Sequence, residues 1–205
     1  MANTESDHSA PNTRRRGPAL IAAIHEAVVL ETVEAGLAGL TMEGIARRAG
    51  TAKTVLYRRW PAPEDILLEA MQNLYPQEMP TPAANDLRGD LIGAMMLFRD
   101  FADTPLGKAL FAVIAQSGRY PKLHERIWNG VFEARGGRFT ATVLHHYADA
   151  GKIDPARVTP LTVDIGEAMM IKHLLDKQVL PDCAYIERIV DEIILPALGL
   201  PAGRP

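Results

Sequence analysis

The sequence predicts an all-α chain, and three observations carry that expectation. Apolar residues recur at three- and four-residue spacing, no stretch alternates strictly between apolar and polar as a half-buried strand does, and Pro or Gly punctuates the 205 residues at helical intervals. With 47% hydrophobic residues the chain can bury a sizeable core, and no internal repeat is visible. A single cysteine excludes an intrachain disulfide and suits a reducing cytoplasm; near a helix start, Cys183 reads as a small apolar filler.

Met1 to Asn12 is rich in Ser, Thr, Asn, Asp and Pro and lacks the apolar run of a signal peptide, so it is expected to be disordered when free. Arg14, Arg15 and Arg16 follow directly before Gly17-Pro18, where the first helix opens. Two readings stand for this arm: a basic strand laid along a minor groove, or a solubilising tail.

Leu40 to Trp60 is the most informative stretch. Thr41 is a natural N-cap, Leu40 can close on Ile45 as a hydrophobic staple, and Gly44 stands where a capping-box Glu would reach back. Ile45, Ala46 and Ala49 give this second helix a small apolar face, and Gly50 follows as the residue that most easily takes positive φ at a helix end. A third helix begins at once: Leu56 and Trp60 fall one turn apart facing inward, while Lys53 and Tyr57 share another face. Small residues at the crossing let the third helix project toward a major groove about 12 Å wide, as a helix-turn-helix requires. From Arg47 to Arg59 there are five cations, Arg47, Arg48, Lys53, Arg58 and Arg59, and no acid, although the chain carries −3 overall. Residues 1–60 hold eight Lys and Arg against six Asp and Glu, and the remainder is acidic, so phosphate suits the amino-terminal part alone.

This segment resembles the DNA-binding domain of the TetR family of bacterial transcriptional regulators. The resemblance runs from about Ile21 to Leu68 through Ala35-Gly36, Leu40-Thr41, Ile45-Ala46-Arg47-Arg48-Ala49-Gly50, Leu56-Tyr57-Arg58-Arg59-Trp60-Pro61 and Glu64-Asp65-Ile66-Leu67-Leu68. It implies that Thr41 meets a phosphate and that Thr51, Lys53, Thr54, Tyr57 and Arg58 face DNA. The chemistry agrees: Lys53 can donate to guanine or phosphate, and Tyr57 can pack on a sugar or thymine methyl while its hydroxyl binds phosphate. The sequence departs from the family at Ala62-Pro63, where a lysine usually touches backbone phosphate, so one contact per subunit is missing, and in the first helix, closed by Ala35-Gly36, where Glu31 and Thr32 stand at positions more commonly apolar in the family, which predicts looser packing or a register shifted by one residue. The resemblance divides the chain into an arm (1–17), a helix-turn-helix domain (18–63) and a helical effector-binding and dimerisation domain (64–205).

Beyond Trp60, helices are expected near Pro63–Leu74, Leu87–Phe101, Pro105–Ser117, Pro121–Gly151, Pro160–Leu180 and Ala184–Leu198, most opened by proline or an acid. Pro76 to Pro82 reads as an extended link, and Gly136-Gly137 as a bend or break. The last two helices carry a broad apolar arc, with Val163, Ile165, Met170 and Leu174 on one and Ile186, Ile189, Val190 and Ile193 on the other, and are expected to pair with an identical copy. Met95, Phe98, Phe111, Trp128, Phe132, Met169, Met170 and His173 are candidate walls for an apolar or aromatic effector, with His173 or Arg99 as polar anchor.

These readings point to a homodimeric, cytoplasmic, nucleoid-associated repressor released from a near-palindromic operator by a small ligand. An activator or effector-independent regulator remains open, and an all-α enzyme is a remote third. His145-His146 has no partner set for a metal, and no phosphate loop or nucleophile elbow is present, so neither catalysis nor a cofactor or metal is expected.

Overall fold

The computed structural model describes residues 17–75, 85–133 and 139–202, with Phe132 and Glu133 as backbone only. The Arg14–Arg16 arm, the Pro76–Pro82 link, the Gly136-Gly137 pair and the Phe132 side chain lie outside the described residues. All regular structure among the described residues is helical. None of their helices is long and apolar enough to cross a membrane.

α1 (Pro18–Gly39), α2 (Met42–Ala49), α3 (Lys53–Tyr57) and α4 (Pro63–Leu74) form the amino-terminal unit. α1 is its axis and packs on α2 and α4, and farther along on α6 (Pro105–Ala115). Its buried residues, among them Ile24, Val28, Val29, Glu31 and Thr32, run most of the way round the helix, as a centrally placed helix demands. The expected loosening at Glu31 and Thr32 does not occur. Thr32 is wholly buried and its hydroxyl donates to the Val28 carbonyl at 2.8 Å. Glu31, also buried, accepts from Arg48 Nε at 3.1 Å, so each polar group carries its own partner and the register holds. Gly36, at φ 67° and ψ 173°, breaks the helix where the sequence closes it, in a region only glycine tolerates.

The larger unit contains α5 (Leu87–Asp103), α6, α7 (Pro121–Ile127), α8 (Phe139–Asp149), α9 (Pro160–Lys177), α10 (Cys183–Ile189) and α11 (Leu195–Ala197). α5 is central, touching α6, α8, α9 and α10. Gly166 lets α9 approach closely: a Cβ there would stand 3.1 Å from Ile194 and 3.3 Å from the Met95 sulfur. Polar links fix the neighbours, a buried one with Tyr147 donating to Asp90 at 2.7 Å and a half-buried one with Arg88 gripping both Asp191 oxygens at 2.7 and 2.8 Å.

Two predicted helices are not continuous. The one from Pro121 leaves α7 through a π-helical turn over Trp128–Glu133. The last passes from α10 through a second such turn, Val190–Ile194, into α11. Pro196 lies just beyond that second turn and has no N–H to return to the preceding carbonyls, which accounts for the widened ladder there. The two units meet at α1 and α6, and again where Arg126 of α7 donates to Asp65 Oδ1 at 2.8 Å. The other Asp65 oxygen accepts from the Ala62 N–H at 3.2 Å, so one carboxylate caps α4 and ties it to the larger unit.

Candidate nucleic-acid interface

The turn between α2 and α3 is built as its residues require. Thr41 Oγ1 accepts from the Gly44 N–H at 3.0 Å, and Leu40 and Ile45 are both buried. Gly50 is left-handed at φ 66° and ψ 37°, and the Thr51 N–H returns to the Ala46 carbonyl at 3.0 Å, ending α2 within one residue. Ala46 and Ala49 are buried at the crossing. Leu56 and Trp60 then turn inward at 0% and 3% exposure, which leaves Tyr57 outward at 60%. Thr41, Lys53, Thr54, Tyr57 and Arg58 are exposed together, and Thr51 is half-buried beside them. Hydroxyls, an ammonium, a phenol and a guanidinium on one projecting edge can bind phosphate and base edges.

The electrostatics differ from the sequence count in an important way. Four of the five cations are held by acids from neighbouring helices. Arg48 bonds Glu31 and Glu34, Arg47 stands 3.7 Å from Glu31, Lys53 donates to Glu43 at 2.9 Å, and Arg59 donates to Glu69 at 2.7 Å. The hydrogen bond that Lys53 donates to Glu43 raises the Lys53 pKa and lowers that of Glu43. Among the described residues, Arg58 alone of the five has no ion-pair partner. These acids, 10 to 17 residues from their partners and on other helices, lie beyond local sequence spacing. Gly44 belongs to the same arrangement: the Glu31 carboxylate lies where its Cβ would be.

Comparison with known proteins agrees with this geometry. Residues 31–70 match the family described as bacterial regulatory proteins, tetR family, and residues 81–193 match the tetracyclin repressor-like C-terminal domain. The chain belongs to the TetR family. The HTH-type transcriptional regulator AqdR of Rhodococcus erythropolis is 28% identical over 120 residues, 58% of either chain. The HTH-type transcriptional regulator Mb1581 of Mycobacterium bovis is 25% identical over 171 residues, 83% of each. In fold, the chain is similar to a TetR transcriptional regulator from Agrobacterium tumefaciens, with a TM-score of 0.63 and 19% identity over 88% of this chain and 94% of that one. This TetR-family chain is therefore a DNA-binding transcriptional regulator and not an enzyme.

The structure rearranges the candidates in the larger unit. Val163, Met170, Ile186, Ile189 and Val190 are buried in the chain's own core, which corrects the expectation that they face a second copy; Ile165, Leu174 and Ile193 are half-buried. The large aliphatics left in water on and just past α9 are Leu161, Leu175 and Val179, at 82%, 68% and 58% exposure. Among the pocket candidates, Met95 and Met170 are wholly buried filling. Phe98, Phe111 and Met169 are half-buried, and Phe98 packs edge-on to Phe111 and Phe139 with centroids 6.4 and 5.7 Å away. Trp128 is 40% exposed and stacks on His124, at a separate surface depression. His173 lies against the Tyr185 ring at 4.4 Å. Arg99 is no free anchor, since it donates to the Pro181 carbonyl at 2.8 Å and pairs with Asp100. Cys183 is exposed rather than filling a core. Phe139, at the centre of the aromatic cluster, carried no signal beyond its apolarity.

Proposed function

We propose that this regulator is a homodimeric repressor, released from a near-palindromic operator by a small apolar or aromatic molecule. In this reading residues 18–63 hold DNA, while 64–205 pair the subunits and receive the effector. The observation that carries it is the exposed aliphatic stripe of α9. Leu161 and Leu175, fourteen residues apart, fall on one face with Ile165 and Ala168 between them, and a single chain leaves that face in water. A second copy related by a two-fold axis covers the same face on both chains and sets two copies of α3 on one duplex. The effector enters beside the half-buried Phe98, Phe111 and Met169, whose rings and thioether can re-pack around it. Movement there reaches DNA through α6 on α1 and through Arg126 on Asp65.

The test is a gel shift on the DNA upstream of the coding sequence, with sedimentation of the same sample. The parent should sediment as a dimer and shift the fragment in a salt-sensitive way, and Tyr57→Ala and Lys53→Ala should each lose binding by about tenfold or more with helicity unchanged. A monomer at high concentration, or variants that bind like the parent, would overturn the reading.

A further inference from the structure

A groove of about 860 Å³ runs between the start of α1, the end of α3 and the second half of α4, on the side of α3 away from Lys53 and Tyr57. Its walls are aliphatic, from Leu20, Ile21, Ile24, Val55 and Leu74. Its size lies in the range of small-molecule sites, about 300 to 1,000 Å³. Its polar lining decides where a ligand's charge can lie. At its floor the His25 imidazole is only 4% exposed, and its Nε2 has no hydrogen-bond partner among the described residues. Glu69 Oε1 stands 3.3 Å from that nitrogen without hydrogen-bond alignment, while the two Glu69 oxygens are taken by Arg59 at 2.7 Å and Trp60 Nε1 at 2.8 Å. At its rim is Arg58, the cation of α3 left without an ion-pair partner among the described residues.

We infer that this groove binds a small organic anion with an apolar body. The body lies along the aliphatic walls with its apolar end against the His25 ring, whose Nε2 is sealed from the groove, and its carboxylate reaches the Arg58 guanidinium at the rim. A carboxylate at the floor would face Glu69, so the charge belongs at the rim. Arg58 lies between the groove and the exposed edge that carries Tyr57. A ligand that holds it therefore competes with a DNA phosphate, a consequence that rests on the DNA-binding reading of α3. This site is distinct from the aromatic cluster of the larger unit.

Decanoate, kept below its micellar range, is a suitable probe. The chain has two tryptophans, and a Trp128→Phe background leaves Trp60, in the groove wall, as the sole reporter. Saturable change of Trp60 emission with one equivalent bound is expected, together with a shift of the His25 ring-nitrogen resonances. Leu74→Glu places a carboxylate on the groove wall at a position already 48% exposed, and should weaken decanoate at least tenfold while far-UV circular dichroism is unchanged. No saturable response, as when another segment or a second copy fills the groove, overturns the site, and so does an equal response from Leu74→Glu. Binding reported by Trp60 without loss of operator affinity overturns the competition alone, so the two failures are distinguishable.

Discussion

The two helical units of this regulator hold themselves together by different means. The amino-terminal unit is small, and charged side chains span its helices: Arg48 to Glu31 and Glu34, Lys53 to Glu43, Arg59 to Glu69. The larger unit relies on apolar packing, from Met95, Leu91 and Leu144 to the Phe98, Phe111 and Phe139 rings, with a few buried polar links such as Tyr147 to Asp90. The contrast follows from task. Both units bury large side chains, Ile24, Ile45, Leu56, Ile66, Leu67 and Met71 in the amino-terminal one, but a face meant for phosphate must be cationic before DNA arrives. Acids beneath that face limit self-repulsion and orient the long side chains. In the larger unit, by contrast, the outward side of α9 exposes two large aliphatic side chains, Leu161 and Leu175.

The largest effect should come from that side of α9. Leu175→Glu puts a charge at a position 68% exposed in the single chain, so folding should be unaffected while a two-fold interface would bury the carboxylate. Dimer sedimentation should be lost, and operator affinity should fall by about a hundredfold or more as the second half-site no longer adds to the first. A dimer that survives this change would move the interface elsewhere and remove the contrast between a wet charged unit and a self-pairing apolar one.

A second prediction probes the buried links of the larger unit. Burial first, and then the hydrogen bond to Asp90, pushes the Tyr147 pKa up to about 12 from its ordinary 10. A raised pKa means that the link stabilises fully below pH 10 and is lost between pH 10 and 12, where the unfolded phenol ionises before the folded one. Tyr147→Phe should destabilise the protein by about 2–3 kcal/mol at neutral pH, since it leaves a buried carboxylate with one partner fewer. Denaturant unfolding in the two proteins should show that gap closing as pH rises through this window; a constant gap would mean that the folded phenol ionises no later than the unfolded one.

Gly44→Ala tests the charged unit in the same units. The added methyl enters the space of the Glu31 carboxylate, which must swing away from Arg48 or force α1 from α2. We expect a loss of about 1–2 kcal/mol. Glu31→Gln on the same background should recover part of it if displaced charge is the cause, and none if α1 and α2 are simply pushed apart.

Much of the fold was legible in the sequence because its signals are local. Thr41, Gly50 and Gly36 act within one turn of chain, and α4 falls at Pro63–Leu74 as its proline and acids indicate. The outward placement of Tyr57 followed from Leu56 and Trp60 taking the inward side. What was not legible is tertiary. Whether Val163 or Ile189 faces a partner or its own core depends on α5 lying across them, and α5 is distant in sequence. Glu31 looked out of place in α1 because its partner, Arg48, is 17 residues away. The cation cluster had the same blind spot: counting Lys and Arg along the chain gives five free charges, where the folded unit pairs four of them.

That pairing sets the smallest and sharpest prediction. In the free protein Lys53 is held by Glu43, so to reach DNA it must either leave that carboxylate or bring it close to a phosphate. Glu43→Gln removes the competing charge at an exposed position and leaves α2 intact. Operator affinity should rise about threefold to tenfold. The plot of log K against log salt should steepen by about 0.9 for each lysine newly available to phosphate, hence by about two for a dimer. If affinity falls instead, the carboxylate is what aims Lys53 at DNA. The acids of the amino-terminal unit would then be part of the reading surface, and the contrast between structural acids and binding cations would give way to a single charged network.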